Sequence, residues 1–212
     1  MDRYQETFKT WDKIAQIYED KFMNLDLYND TYDIFCELIP KSNPNILEVG
    51  CGPGNITQYL LSKNPNFRIT AIDNSVNMIE LAKKNNPTAK VQLMDSRDLH
   101  IIPNKFDAII CGFCIPYLSQ SDCSKMIMDC NKLLNDLGMF YISFVAGNPG
   151  NSGYLSGSSG DRVYFYYHDL KNIEKDLMTA SFEIKETFQK KYKKTDDIEE
   201  IHTILIVEKI NK

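Results

Sequence analysis

The stretch that decides the fold is residues 46–57, which reads Ile-Leu-Glu-Val-Gly-Cys-Gly-Pro-Gly-Asn-Ile-Thr. Its first four residues have the apolar character of a short strand, and the residues from Ile56 onward are spaced like one face of a helix. Gly50, Gly52 and Gly54 lie between them. Glycine tolerates positive φ and close approach by a ligand, and the following helix start offers free N–H groups. The stretch therefore predicts a strand, a tight turn and a helix that bind a nucleotide-like ligand.

The spacing of these glycines differs from that of dinucleotide-binding enzymes. Those enzymes carry G-x-G-x-x-G, whereas here the spacing is G-x-G-x-G, the later position holds Asn55, and Glu48 precedes the turn. The run Glu-Val-Gly-Cys-Gly-Pro-Gly resembles motif I of the class I S-adenosylmethionine-dependent methyltransferases. An ordinary strand-to-helix turn is the alternative interpretation of the glycines taken alone.

Composition narrows the class of protein. A chain of 212 residues with 43% apolar and 25% charged residues suits one globular domain. Its net charge of −5 disfavours binding of nucleic acid through phosphates and favours a small-molecule acceptor. A polar N-terminus and the lack of a long apolar run predict a cytoplasmic protein without membrane contact. The six cysteines are then expected to be reduced thiols.

Two amphipathic helices are predicted ahead of the glycine stretch. One is indicated by apolar residues at helical spacing, which are Trp11, Ile14, Ala15, Tyr18 and Phe22. The other spans residues 28–39 and ends at Pro40. The pattern Trp-Asp-x-x-Ala-x-x-Tyr over residues 11–18 resembles the first helix of many small-molecule methyltransferases. The helices either pack on the sheet as structural elements or form a lid in which Trp11 and Tyr18 cover a sulfonium.

Polar residues end the next two predicted strands. Asp73 ends the second strand about 20 residues beyond Gly54, where an acid accepts hydrogen bonds from both ribose hydroxyls. It is alternatively a helix cap. Asp95 and Ser96 follow the third strand, at residues 91–94. The resemblance implies that Asp95 binds the adenine amino group, and a plain loop acid is the alternative.

The fourth predicted strand, residues 106–111, is apolar throughout and is expected at the centre of the sheet. The segment after it, from Gly112 to Tyr117, faces sulfonium and acceptor in the family that the chain resembles. Cys111 and Cys114 match neither a redox motif in its usual place nor a metal site, because there is no second such pair and the histidines are scattered. The family that methylates base amino groups carries an Asn-Pro-Pro-Tyr-like element here. This chain keeps only its last two residues, which disfavours that activity.

The remaining residues are predicted to complete the acceptor side and the sheet. Residues 139–145 form a fifth strand after a stop signal at residues 135–138. Residues 146–161 are predicted to be a loop, either an acceptor gate or a plain connection. Residues 162–167 form an aromatic strand, and a closing hairpin pairs residues 182–188 with 203–207. The lysines at 190–194 and the acids at 196–200 are expected at a solvated hairpin tip.

A general base is predicted from the three histidines, because histidine titrates near neutrality. His100 lies in a polar turn, and His202 is expected on the closing hairpin, far from the ligand end of the sheet. His168 follows the aromatic strand and is predicted to be the base; a helix-start residue bonded to the backbone is the alternative. Tyr117 and Tyr167 are predicted to orient the acceptor.

The resemblance implies a three-layer α/β/α sandwich. Its Rossmann-like, mostly parallel seven-stranded sheet ends in an antiparallel C-terminal hairpin, and extra helices precede it. One domain, 1–212, is expected to comprise a helical lid (1–40), a cofactor-binding core (41–145) and an acceptor-side loop with the closing hairpin (146–212). The cofactor is S-adenosylmethionine, and no metal is expected. A nicotinamide-dependent oxidoreductase and a non-catalytic S-adenosylmethionine-binding protein are the alternatives. The predicted cofactor-binding residues are Tyr18, Glu48, Gly50, Cys51, Gly52, Gly54, Asp73, Asn74, Met78, Asp95, Ser96, Cys111 and Gly112; the predicted catalytic residues are His168 and Tyr117.

Overall fold

The computed structural model of the chain describes residues 2–157, 160–195 and 198–210. Helices alternate with strands through the first two thirds of the chain. The helices are α1 Arg3–Lys13, α2 Ala15–Phe22, α3 Asn29–Leu38, α4 Asn55–Lys63, α5 Val76–Asn85, α6 Gln120–Leu133 and α7 Leu170–Thr179. The strands are β1 Asn45–Val49, β2 Arg68–Asp73, β3 Lys90–Leu93, β4 Phe106–Gly112, β5 Leu134–Val145, β6 Gly153–Ser156, β7 Arg162–Phe165, β8 Phe182–Thr195 and β9 Ile198–Lys209. Short 3₁₀ helices cover Ser96–Ile101, Ile115–Tyr117 and Pro149–Asn151.

The predicted seven-stranded sheet is confirmed, and its strand order is β3-β2-β1-β4-β5-β9-β8. Strands β1 to β5 run parallel to one another, whereas β9 pairs antiparallel with both β5 and β8. β4 is the central strand, and six of its seven residues are buried. The carboxyl ends of β1, β2 and β4 therefore meet at one edge, where open α/β sheets bind their ligands.

Two apolar cores lie on opposite faces of the sheet, as a three-layer sandwich requires. On one face, α3, α4 and α5 pack against side chains such as Ile46, Ile110 and Tyr141. On the other face, α6 and α7 pack against side chains such as Ile109 and Phe140. Neighbouring residues of β4 alternate between the cores because successive side chains of a strand point to opposite faces.

Several predicted elements differ in the structure. The single helix predicted through Ile14 is two helices, because Ile14 has φ −98° and ψ 14° and ends the regular α-helical path. α1 then packs along β7 and on α5, while α2 packs on α5. Strand β5 begins directly after α6 at Leu134, and a left-handed Leu137 (φ 60°) replaces the predicted turn.

The predicted loop at 146–161 contains a strand, so that prediction was wrong in part. β6 pairs antiparallel with β7, with Tyr154 opposite Tyr164 and Leu155 opposite Val163. The glycine and serine content of the segment hid these two larger residues between small ones. The closing hairpin is longer than predicted, since β8 extends to Thr195. Asp196, Asp197 and the side chain of Lys194, which the prediction placed at its tip, lie outside the described residues.

Several further features bear on the class of protein. Within residues 2–157, 160–195 and 198–210, no helix combines the length and the apolar character needed to cross a bilayer. The same part of the chain holds no cluster of three or more side chains suited to a metal ion. All six cysteines are free thiols.

Candidate functional site

The glycine turn is tied to the end of β2 and leaves open space on its outer side. Gly50 N donates to the Ile72 carbonyl oxygen at 2.8 Å. Gly50 and Gly52 have φ values of 72° and 53°, which other residues rarely adopt. A Cβ on Gly50 would lie 2.8 Å from Cys114 Cβ, whereas one on Gly52 would stand 3.6 Å from the Tyr18 ring. The first glycine is needed for close packing, and the second leaves room for a ligand between the turn and Tyr18.

Asp73 lies beside this turn. Its carboxylate accepts hydrogen bonds from Gly52 N and Ser75 N, both at 2.9 Å. Burial raises the pKa of Asp73, and the hydrogen bonds from these N–H groups oppose that rise. A carboxylate has about four lone-pair sites, so Asp73 retains accepting capacity toward a ligand. The N-cap of the next helix, α5, is Ser75, whose hydroxyl accepts from Met78 N at 3.1 Å.

A cavity, here called the glycine-turn cavity, opens between the turn, the ends of β2 and β4, and helices α1 and α2. Many of the predicted cofactor residues line it, namely Tyr18, Gly50, Gly52, Asp73, Asn74, Met78, Ser96 and Gly112. Its other lining residues are Phe8, Trp11, Met94, Phe113, Cys114, Tyr117 and Leu118. Aromatic and sulfur-containing side chains thus cover one side, and backbone with Asp73 forms the other.

Gly54, Asp95 and Cys111 do not line this cavity, so the structure does not bring them together with the other predicted cofactor residues. Gly54 precedes α4 with φ 86° and serves its backbone geometry. Cys111 is fully buried within the sheet. Asp95 accepts from Arg97, with Arg97 Nη2 at 2.6 Å, so its carboxylate is held in an ion pair beside the cavity. Sequence spacing predicts which strand end a residue follows, but not whether a neighbouring cation captures its side chain.

Glu48 is fully buried in β1. Its Oε2 accepts a hydrogen bond from the Thr57 hydroxyl, while its Oε1 has no hydrogen-bond partner among the described residues. Burial raises the pKa of Glu48 to about 8, since a low-dielectric surrounding disfavours the charged form. A buried acceptor without a partner fits a ligand that brings a cationic donor.

Three aromatic rings close the glycine-turn cavity from above. Trp11 contacts Tyr18 and Tyr117 edge to face, with ring centroids 5.5 and 5.2 Å apart. The Trp11 Nε1 atom is buried and has no hydrogen-bond partner among the described residues. Tyr117, a predicted catalytic residue, is carried on the short helix after β4 and lines the cavity. Burial raises its pKa, so its hydroxyl stays protonated at neutral pH.

Helix α1 is held over the cavity by side-chain contacts on two sides. Asp12 Oδ1 accepts from Ser75 Oγ at 2.7 Å and from Asn77 N at 3.0 Å. On the other side, Thr10 Oγ1 donates to the Arg162 carbonyl oxygen at 2.8 Å. α1 therefore bridges the start of α5 and strand β7 in a closed arrangement.

A second cavity, here called the aromatic cavity, adjoins the first. The two share a wall formed by Trp11, Tyr18, Gly50, Gly112, Phe113 and Tyr117. The remaining lining residues are Lys21, Phe22, Leu25, Tyr28, Tyr32, Glu48, Cys51, Asn55, Ile56, Pro116, Val145, Leu155, Val163, Phe165, Tyr192, Glu200 and His202. Glu48 and Cys51, predicted to contact the cofactor, thus face this cavity. Strands β6 and β7 contribute to its wall, as the predicted acceptor-side position of the segment requires.

His168 lines neither cavity, and its position contradicts the predicted role as general base. The residue is 1% exposed. Its Nε2 donates to the Ile115 carbonyl oxygen at 2.8 Å, and its Nδ1 lies 3.3 Å from the Gln120 side-chain oxygen. Burial lowers its pKa. Its position agrees with the alternative prediction of a residue that is hydrogen-bonded to the backbone. The bond joins the segment after β7 to the 3₁₀ helix after β4.

His202 is the histidine that does line a cavity, which sequence reasoning missed. It lies opposite Val145, the last residue of β5. Because β9 runs antiparallel to β5, residues early in β9 reach the carboxyl edge of the parallel strands. The expectation that His202 lies far from the ligand end was therefore wrong. Its place two residues before the apolar run 204–207 of the predicted closing strand was the available signal.

The glycine turn, Asp73 and the strand order define the class as a Rossmann-like methyltransferase fold, and comparison with known proteins agrees. Residues 46–138 match the family model described as a methyltransferase domain. Over 166 residues, or 77% of the chain, the sequence is 25% identical to demethylmenaquinone methyltransferase of Thermotoga maritima, spanning 69% of that protein. It is 39% identical over 111 residues to malonyl-[acyl-carrier protein] O-methyltransferase of Priestia megaterium, covering 51% of this chain but only 38% of that protein.

Solved structures show the same fold. The structure of magnesium protoporphyrin IX methyltransferase from Synechocystis with bound S-adenosylmethionine superposes with a TM-score of 0.71 at 18% identity. The match covers 99% of this chain and 98% of that chain. Residues 46–138 thus match a methyltransferase domain, and the chain as a whole has the fold of solved S-adenosylmethionine-dependent methyltransferases. Methyl transfer is the reaction that these matches support.

Proposed function

We propose that this chain transfers a methyl group from S-adenosylmethionine to a small-molecule acceptor. The cofactor lies in the glycine-turn cavity, with its methionine end reaching Glu48 beyond the shared wall, and the acceptor lies in the aromatic cavity. The observation that carries the proposal is the wall that the two cavities share. A donor on one side and an acceptor on the other meet there without crossing bulk water. Two relatives are named for small acceptors, demethylmenaquinone and magnesium protoporphyrin IX, which supports this size class. We place the enzyme in the cytoplasm, as its sequence predicts.

The residues present fit the cofactor. Glu48 Oε1, buried and without a partner among the described residues, suits the ammonium of the methionine portion. Asp73 has accepting capacity for ribose hydroxyls, and Ser96 with Met78 lines the space for the adenine. Trp11 and Tyr18 offer ring faces to a sulfonium, an attraction of about 0.5–2 kcal/mol. When bound, the cofactor supplies an electrophilic methyl group on a good leaving group.

The work of the protein is alignment and exclusion of water. Orientation of two bound reactants contributes up to about 7–11 kcal/mol to a bimolecular step. Trp11 and Tyr117 fix the boundary between donor and acceptor, and α1 with the β6–β7 hairpin covers it. Tyr117 orients the acceptor from the shared wall, with its hydroxyl protonated.

Calorimetry with S-adenosylhomocysteine tests the cofactor site. We expect Asp73→Ala to weaken binding at least about tenfold, because hydrogen bonds to a charged group contribute about 1.5–3 kcal/mol each. The matched control is Asp33→Ala, which removes a surface acid that pairs with Lys63 at 2.9 Å, away from both cavities. Equal affinities in the two variants would contradict the proposed ribose contact. Stabilisation of the wild type by NADH but not by S-adenosylhomocysteine would contradict the function itself.

A further inference from the structure

Three side chains, joined by one hydrogen bond and one longer polar contact, lie in a row along one wall of the aromatic cavity. The Tyr28 hydroxyl lies 2.6 Å from His202 Nδ1, and His202 Nε2 lies 3.7 Å from Glu200 Oε2. Burial raises the pKa of Tyr28 above its usual range, so the phenol keeps its proton and donates it to Nδ1. The neutral imidazole then carries its own proton on Nε2, toward the Glu200 carboxylate. The order hydroxyl, imidazole, carboxylate is that of a proton relay.

Aromatic rings hold this row in place. The His202 ring stacks on Tyr192 with centroids 4.9 Å apart and contacts Phe113 at 4.6 Å. On β8, the residue opposite His202 is Lys190, whose ammonium lies 2.5 Å from Asp30 Oδ2. The titratable and charged groups that these contacts place around His202 are Tyr28, Tyr192, Glu200 and the Lys190–Asp30 pair.

The charge of the aromatic cavity limits what it can bind. Two acids line it, Glu48 and Glu200, and we assign Glu48 to the cofactor. The only lysine or arginine among its described lining residues is Lys21, which is exposed. An anionic acceptor would meet the Glu200 carboxylate without a buried cation, which is unfavourable in a water-poor site. Rings such as Tyr28 and Tyr192 attract a cation through their π faces. The lining therefore favours a cationic head group on an apolar body.

Resting on the proposed function, we propose that the acceptor is an amine on an apolar body, and that Tyr28, His202 and Glu200 remove its proton. The ammonium proton passes to the Tyr28 oxygen while the Tyr28 hydroxyl proton passes to His202 Nδ1, leaving an imidazolium beside Glu200. The freed nitrogen lone pair forms the new N–C bond as the C–S bond breaks. The electron pair of the broken C–S bond stays on sulfur. The products are a methylammonium, a thioether and one proton, which His202 returns to water.

Probe binding tests the acceptor class in the full chain saturated with S-adenosylhomocysteine. The probes share one body and differ in charge, and they are 2-phenylethylamine, 2-phenylethanol and phenylacetate. By ligand-observed NMR we expect the amine to bind at least tenfold more tightly than phenylacetate. Glu200→Gln should weaken binding of the amine at least fivefold and leave the affinity for the alcohol unchanged. The control is Glu199→Gln, an exposed neighbour on β9 that lies 3.8 Å from Lys191.

Tighter binding of phenylacetate, or no binding of the amine while S-adenosylhomocysteine binds, would overturn the acceptor class and leave the proposed function standing. Failure of S-adenosylhomocysteine to bind would instead overturn the proposed function. The two failures are therefore distinguishable.

Methylation of 2-phenylethylamine tests the relay. We expect His202→Gln and Tyr28→Phe to lower kcat at neutral pH at least a hundredfold, within the range of about 10²–10⁴ for a positioned base. Affinity for S-adenosylhomocysteine should stay within threefold, which also reports that each variant is folded. The lost rate should return as the pH rises above the pKa of the amine, because the probe then arrives deprotonated. An unchanged kcat, a loss that persists at high pH, or binding of the amine without turnover in the wild type would overturn the relay.

Discussion

Among single residues, Glu48 connects the fold to the cofactor most directly. It lies in the middle of the buried strand β1, one hydrogen bond from Thr57, and its second oxygen lacks a partner among the described residues. Such a carboxylate is costly to ionise in the ligand-free protein. We propose that the ammonium of the cofactor pairs with it, which would couple cofactor binding to the ionisation of Glu48.

The raised pKa of Glu48 predicts a specific pH dependence of stability. The pKa is about 8 in the folded protein against an ordinary 4.5, so the folded state binds more protons than the unfolded chain between these values. The stabilisation of the folded state that comes from the protonation of Glu48 is complete below pH 4.5. It is lost as the pH rises to about 8. We expect the free energy of unfolding of the wild type to fall relative to Glu48→Gln across this window. The slope should be on the order of 1 kcal/mol per pH unit.

Urea unfolding of both proteins at a series of pH values measures this difference. Glu37→Gln is the matched control, because Glu37 is exposed on α3. Parallel pH profiles for the wild type and Glu48→Gln would show that the buried carboxylate does not titrate in this range.

Between elements, the decisive contact is that of α1 with the start of α5. Asp12 accepts from the N-cap residue of α5, Ser75, and from Asn77 N in the first turn, where the helix dipole favours a negative charge. The same turn follows Asp73, so the lid is attached to the segment that we propose binds ribose. This supports the proposed division of the chain into a lid over 1–40 and a core over 41–145.

Asp12→Ala should therefore loosen α1 and weaken cofactor binding. We expect faster tryptic cleavage after Lys13, the last residue of α1, and affinity for S-adenosylhomocysteine reduced several-fold, because the rings of the lid lose their support. Mass spectrometry of the digest and calorimetry measure the two effects. Asp20→Ala, which removes an exposed acid of α2 bonded to Gln16 at 3.0 Å, is the control. If Asp12→Ala and Asp20→Ala are cleaved at the same rate, α1 is held in place by its other contacts and not by Asp12.

At the scale of the whole molecule, the net charge of the protein favours a small-molecule acceptor over a nucleic acid. The net charge of −5 opposes a polyanion, since affinity for nucleic acid depends on phosphate contacts. We expect a mobility-shift assay with unmodified tRNA to show no complex below about 100 µM protein at physiological salt. A complex at lower concentration that weakens as salt is added would contradict the proposed small-molecule acceptor.

The sequence by itself determined the cofactor half of this protein. The strand, the glycine turn and Asp73 lie within one continuous stretch, and positive φ and strand ends are properties of the local chain. The order of helices and strands along residues 46–145 was predictable for the same reason. Local pattern was less reliable where small residues hid a strand, as around Tyr154, or where a helix breaks at Ile14.

Only the tertiary structure decided the acceptor half. Which edge of a sheet a residue reaches depends on the direction of its strand, and the antiparallel β9 brings His202 to the edge that its sequence position concealed. His168 lies between the aromatic strand and the following helix, as predicted from the sequence. Its side chain nevertheless lies outside both cavities, because it is hydrogen-bonded to the Ile115 carbonyl oxygen. The aromatic cavity combines residues from α2, β1, β8 and β9. No sequence spacing relates such distant segments, because their proximity arises from packing alone.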